Sequence, residues 1–203
     1  MGIRPRVLVA ALALVVIGLP ASAWAQRIDV EATTTKGVSF KGLHTYKWLP
    51  PPPAIPATIA PGSVPSPRRT IAEVDPVVHD LIDRALQAKG YRLVESGESD
   101  LLVGYLVNMS SDANTFSMAD EYSAVTGVTI YFGPSSTSRT TSLTYADLGT
   151  LAVGIAASGT KQVLWRGVAK TKITLDTPHA KVDEHIEEGV QKMFRKFPKQ
   201  SDK

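Results

Sequence analysis

The sequence predicts an α+β fold, a two-layer sandwich with two helices packed on one face of an antiparallel sheet of about five strands. Three stretches lead there. Gly149 to Thr174 reads as a β-hairpin with one apolar face, and Asp75 to Lys89 and Asp183 to Phe197 each read as an amphipathic helix. A one-faced sheet and a striped helix each leave apolar surface that only another layer can cover.

The hairpin is the best-patterned stretch. Leu151, Val153, Ile155 and Ala157 share one face of its first strand; Val163, Trp165, Gly167, Ala169, Thr171 and Ile173 share one face of its second. Arg166, Lys170 and Lys172 point the other way, as strand side chains must alternate. Ser158-Gly159-Thr160-Lys161 supplies the turn, with Gly159 the residue expected at positive φ.

The amino terminus reads as a secretory signal peptide over residues 1–25. Arg4 and Arg6 make the positive region, Val7 to Leu19 the apolar region, and Ala23-Trp24-Ala25 a small-x-small cleavage site before Gln26. The apolar run is shorter than the roughly 20 residues that cross a bilayer. The expectation is an exported protein, periplasmic or extracellular after cleavage, with residues 26–203 forming a single α+β domain. The chain has no cysteine, which excludes disulfides, thiolate metal sites, a cysteine nucleophile and an acylated N-terminal cysteine. No lipid anchor is therefore expected. The net charge of +3 falls to +1 without Arg4 and Arg6. That near-neutral balance argues against a nucleic-acid partner, which needs a basic footprint.

Gln26 to Lys36 lacks a strong period and fits an extended lead-in or a frayed first strand. Val38 to Trp48 reads as a strand with Val38, Phe40, His44, Tyr46 and Trp48 on one face. His44 has no neighbouring ligand in sequence, so it reads as a core-flanking residue rather than a metal ligand. Residues 50–67 hold eight of the 14 prolines. Proline removes a backbone donor, so this is an exposed loop, either a surface insertion or a docking motif for an envelope partner.

In the first predicted helix Asp75 is placed as the cap and Pro76 at the first helical position. Val78, Leu81, Ile82, Ala85 and Leu86 form the stripe, and Gly90 closes the helix. His79 and Asp83 lie one turn apart and read as a surface pair. Tyr91 to Val94 starts a short strand. Leu101 to Met109 is apolar at nearly every position, which marks a strand covered on both faces. Residues 110–148 are rich in Ser and Thr, with one apolar island, Gly127 to Gly133, that looks like a strand. In the last helix Val182, Ile186, Val190, Met193, Phe194 and Phe197 form the stripe, with Gly189 on the same side. Asp183, Glu184, His185, Glu187 and Glu188 resemble a cation site only as a list. On a helix they spread around the cylinder, in the first turns where negative charge suits the dipole.

Several landmarks in order resemble the domain-of-unknown-function family 4136: FKGLHTYKW at 40–48, ALQAKGY at 85–91, DLLVGY at 100–105, GTLAVGI at 149–155, VLWRG at 163–167 and FRKFP at 194–198. The resemblance covers nearly the whole chain after residue 25. It implies a secreted or lipoprotein-like bacterial envelope protein with a small α/β fold and no assigned activity, so no site residue carries over. The missing cysteine departs from the lipoprotein pattern.

No catalytic pattern stands out: G-x-S-x-G does not occur, and a hydroxyl needs a positioned base to become a nucleophile. The reading is an exported envelope protein acting as a non-catalytic binding or structural module, with no catalytic, cofactor or metal residue assigned. Tyr46, Trp48, Tyr105, Trp165 and Arg166 are the candidate ligand or partner surface. The alternatives are a periplasmic hydrolase using His44 or His79 as base, and a small-molecule or peptide carrier whose cleft is lined by Tyr46, Trp48, Tyr105 and Trp165.

Overall fold

The computed structural model describes residues 27–51, 71–108, 123–130, 148–173 and 177–200. The predicted signal peptide, most of the proline-rich stretch and most of the Ser/Thr-rich segment lie outside the described residues. Six strands form one sheet: β1 (Asp29–Thr34), β2 (Thr45–Trp48), β3 (Arg92–Leu93), β4 (Leu101–Asn108), β5 (Leu148–Ala157) and β6 (Val163–Lys172). Their spatial order is β1-β6-β5-β4-β2-β3. Two long helices accompany them, α1 (Ile71–Gln87) and α2 (His179–Arg195), with a helical turn at 123–126.

The α+β sandwich stands, but the sheet is mixed and six-stranded rather than antiparallel with five. β1, β6, β5 and β4 are antiparallel neighbours, whereas β2 runs parallel to both β4 and β3. The cause is α1, which lies between β2 and β3 in the chain. A crossover helix returns the chain to the end where it started, so the next strand runs parallel. The strand predicted over 38–48 shortens to β2 alone. Val38 and Phe40 still reach the core from the turns before it.

The hairpin is present, with a bulge. Ile155 faces Trp165, but Ala156 faces Val163, so Leu164 is the extra residue. One inserted residue reverses the alternation. Val163 therefore leaves the face of Trp165 and joins the reverse side, while Leu164 joins the helical side. In the turn Lys161, not Gly159, takes the left-handed backbone, with φ 59°. Its amide donates to the Ala157 carbonyl at 2.9 Å, and the Ala157 amide donates to the Gln162 carbonyl at 2.9 Å. The four-residue loop needs its reversal at the last position.

Both helices pack on one face, where Val74, Val78, Ile82 and Leu86 of α1 meet Val182, Ile186, Val190, Met193 and Phe194 of α2 over the sheet. α1 begins at Ile71, a turn earlier than predicted, and carries Pro76 inside it. Asp75 is thus an internal helical residue rather than the cap. α2 lies close against β6 because Gly189 has no side chain: a Cβ there would sit 2.9 Å from the Cβ of Ala169. Beyond α2, Phe197 is the centre of an aromatic cluster, with ring centroids 5.1 Å from Trp165, 5.3 Å from Phe40, 5.4 Å from Tyr91 and 5.6 Å from Phe194.

The reverse face is also covered in part. Leu49, Leu102, Leu106, Ala152, Ala156 and Val168 pack there with Val128 and Ile130. The residues 127–130 of the expected strand form no strand, yet Val128 and Ile130 are fully buried. Ile130 seats on Gly154, where a Cβ would come within 2.7 Å of its Cγ1. β4 is accordingly buried on both sides, as its continuous apolar run predicts.

Trp165 is 1% exposed. Trp165→Ala is expected to lower the unfolding free energy by about 3–5 kcal/mol, the range for truncating a buried large aromatic. Urea melts of the two proteins check this, and equal midpoints would contradict it.

Candidate functional site

The five residues of the candidate surface separate into three places. Tyr46, Trp48 and Tyr105 gather under α1. Trp165 lies in the aromatic cluster beneath α2. Arg166 points from β6 to the reverse side, towards Glu31 of β1. Tyr46, Tyr105 and Trp165 are each at most 1% exposed, so packing fills the space among these aromatics.

The group under α1 is organised by three residues at i, i+4 and i+8: Asp75, His79 and Asp83. The Tyr46 hydroxyl donates to Asp83 Oδ1 at 2.7 Å, and the Trp48 indole donates to the same oxygen at 3.0 Å. The Tyr105 hydroxyl donates to Asp75 Oδ1, which also lies 3.5 Å from His79 Nε2. The His79 ring stacks on Trp48 at 3.8 Å. Burial, then the Asp83 carboxylate, pushes the Tyr46 hydroxyl above its usual range. A phenol held neutral while donating to a carboxylate is a structural tie, and here it joins β2 and β4 to α1. His79 meets Asp75 rather than the Asp83 expected from sequence. His44 meets the side-chain amide of Gln200.

Asp100 ties β2 to β4. Its Oδ2 accepts from the amides of His44 and Thr45, each at 2.9 Å, and from the Thr45 hydroxyl at 2.7 Å. The Asp100 amide donates back to that hydroxyl at 3.0 Å. Burial raises its carboxyl, but the donors from His44 and Thr45 outweigh burial, so the net shift is downward from 3.8. His185 of α2 lies on the buried face of its helix. It is 4% exposed, with neither ring nitrogen hydrogen-bonded. Burial, then Lys181, holds its imidazole below the usual 6.5.

Two concave features of ligand size lie among the described residues, a groove of about 560 Å³ between α1 and α2, lined by Asp80, Arg84, Asp183 and Glu187 among others, and a cleft on the reverse side. The cleft, of about 370 Å³, is lined by Thr33, Thr35, Gly127, Thr129, Lys161, Val163 and Arg166. β1 supplies Thr33, which alternates outward while Val30 and Ala32 pack inward. The helical turn at 123–126 leads to Thr129, whose hydroxyl is 2.7 Å from that of Ser123. The Thr35 hydroxyl donates to the Val163 carbonyl at 2.7 Å. Arg166 Nη2 is 3.3 Å from Glu31 Oε1. Arg166 is thus the member of the sequence-derived surface that lines a cavity. Of the others, Tyr46, Tyr105 and Trp165 are core residues and Trp48 is half-buried against them. Among the described residues, no three His, Asp or Glu side chains are grouped to hold a metal ion, and no helix is long and apolar enough to cross a membrane.

Fold and site thus define an α+β domain with a mixed sheet, helices on one face and a threonine-lined cleft on the other. The family model for the domain of unknown function DUF4136 matches residues 30–199, and the chain belongs to that family. No curated protein matches it. Among solved structures it is similar to a PDZ domain protein from Parabacteroides distasonis, at 16% identity and a TM-score of 0.49 over 87% of this chain. The chain spans 37% of that protein. It is also similar to the PelC dodecamer protein from Paraburkholderia phytofirmans, at 7% identity and a TM-score of 0.40, covering 82% of this chain and 94% of that one. A DUF330 protein from Xanthomonas campestris follows at 14% identity and a TM-score of 0.36, covering 82% and 87%. Likeness at this level carries no argument about the cleft.

Asp100→Ala leaves two amides and a hydroxyl without their charged acceptor. It is expected to cost about 2–3 kcal/mol at pH 7, on the scale of hydrogen bonds to charged groups. Because the folded carboxyl titrates below 3.8, the stabilisation is complete above that value and is lost as the pH falls through the lower folded value. Urea melts at pH 7 and in strong acid should show the gap between wild type and variant closing; a gap independent of pH would contradict the charge-based account.

Proposed function

We propose that this chain is an exported cell-envelope protein, a non-catalytic binding module that works in the periplasm or outside the cell after loss of residues 1–25. The basic, apolar and small-x-small order of that segment supports export. The observation that carries the binding role is the cleft of about 370 Å³ on the reverse side of the sheet. Its size falls within the usual range of small-ligand sites, roughly 300–1,000 Å³. Its lining comes from β1, the 127–129 segment and the β5–β6 hairpin, three parts of the chain that meet only in the folded state. The proline-rich 50–67 segment, which follows directly on β2, is proposed as the contact for an envelope protein partner.

A small-fragment screen read by amide chemical shifts tests the binding role. Hits are expected to cluster on Gly127, Thr129 and Lys161 and to be lost in Thr33→Tyr, which fills the cleft from an exposed edge strand. Hits scattered over the surface, or unaffected by that substitution, would contradict it.

A further inference from the structure

Resting on the reading of the cleft as a ligand site, we propose that its ligand is an oxyanion on a small hydroxylated scaffold, a sugar acid or a sugar phosphate, gripped by Lys161 and Arg166. Lys161 is the one non-glycine residue at positive φ among the described residues. Glycine or asparagine takes that backbone more readily than a lysine does. Gly159 stands two positions earlier in the same turn and does not take it. The strained position therefore carries a long cationic side chain. Its stem lies beside Gly127, itself at φ 71°, where a Cβ would be 3.8 Å from Lys161 Cγ. Backbone strain of this kind gathers at binding sites, where the surrounding structure enforces it.

Among the described residues, the charges in the cleft do not cancel. The Arg166 side chain is only 12% exposed and pairs at 3.3 Å with Glu31, which is 49% exposed. Lys161 has no ion pair among the described residues. Among the described residues the cleft thus has the cations Arg166 and Lys161 and, beside Arg166, the one carboxylate of Glu31; Lys161 is exposed, so its ammonium is open to an anion from solvent. A guanidinium has five donors in a planar fork, so Arg166 keeps donors for a second oxyanion beside Glu31. The hydroxyl oxygens of Thr35 and Thr129 are already held in place by Val163 and Ser123, and each retains lone pairs for a ligand hydroxyl. Val163 contributes apolar floor, half-buried on this side of the sheet because the bulge at Leu164 turns it there. Cationic side chains for an anionic group, threonine hydroxyls for the ligand's hydroxyls and a largely apolar lining for the face of a ring describe a sugar acid or a sugar phosphate.

The test is titration of the purified, isotopically labelled protein with glucuronate, glucose 6-phosphate and glucose. Saturable shifts at Gly127, Thr129 and Lys161 are expected with one or both anions, and at least tenfold weaker binding with glucose. The stronger anion identifies carboxylate or phosphate as the group recognised. Arg166→Gln and Lys161→Gly should each weaken anion binding at least tenfold. Lys161→Gly should leave the melting temperature unchanged or higher, since glycine relieves the strained backbone; this separates loss of grip from loss of fold. Glucose binding as well as the anions, or Lys161→Gly binding them as wild type does, overturns the oxyanion proposal and leaves the cleft as a ligand site. No shift in the cleft with any of the three also overturns it, and the fragment map then decides by itself whether the cleft binds anything.

Discussion

The placement of Phe197 between Trp165, Phe40, Tyr91 and Phe194 is the constraint on which the rest of the molecule depends. It lies two residues past the end of α2, yet it touches the hairpin, the turns before β2 and the start of β3. Fixing that ring fixes the far end of α2 against β6. From there the missing side chain at Gly189 lets the helix settle on Ala169. The chain beyond Phe197 continues the closure: its carbonyl accepts from Lys89 Nζ at 2.8 Å, and the Gln200 amide donates to the Lys89 carbonyl at 2.9 Å. The C-terminal ends of the two helices are thereby tied to each other through one short C-terminal segment.

The two sides of the sheet do different work. On the helical side every large aromatic is used, and the polar groups that enter, Asp75, Asp83 and Asp100, accept from named donors. The ring nitrogens of His185 and the hydroxyls of Tyr91 and Thr171 are the buried polar atoms left without a hydrogen bond among the described residues. On the reverse side the cover is thin. Val128 and Ile130 seal the centre over Gly154, and towards β1 the surface opens into a cleft of threonine hydroxyls and two cations. Function placed on a lightly covered face over a rigid scaffold is a common arrangement, because binding groups can vary there without disturbing the core.

Much of the helical side was legible in the sequence. Period-two alternation gave Trp165, Val153 and Ile155 their shared face, and three-four spacing gave the stripe from Val182 to Phe194. The parallel pairing of β2 was less visible, since four residues are too few for a pattern. The signal was the strand–helix–strand order around α1, which favours a parallel return over a hairpin. Leu164 was hidden because a bulge leaves no mark in a run that looks alternating on either side of it. His185 was grouped only with Asp183, Glu184, Glu187 and Glu188, although it falls three residues after Val182, on the buried stripe. The cleft was out of reach for a different reason: Thr33, Thr129 and Lys161 are distant in the chain, and only the folded sheet makes them neighbours. Arg166 alone was identifiable, by pointing away from the face of Trp165.

The most direct measurement is a double-mutant cycle on Trp165 and Phe197, using Trp165→Ala, Phe197→Ala and the pair, read by urea unfolding. If the ring contact closes the fold, the two losses will be non-additive, with a coupling of about 0.5–1.5 kcal/mol, as measured for aromatic pairs in contact. Strictly additive losses would show that the two rings act independently, and the closure described here would be wrong.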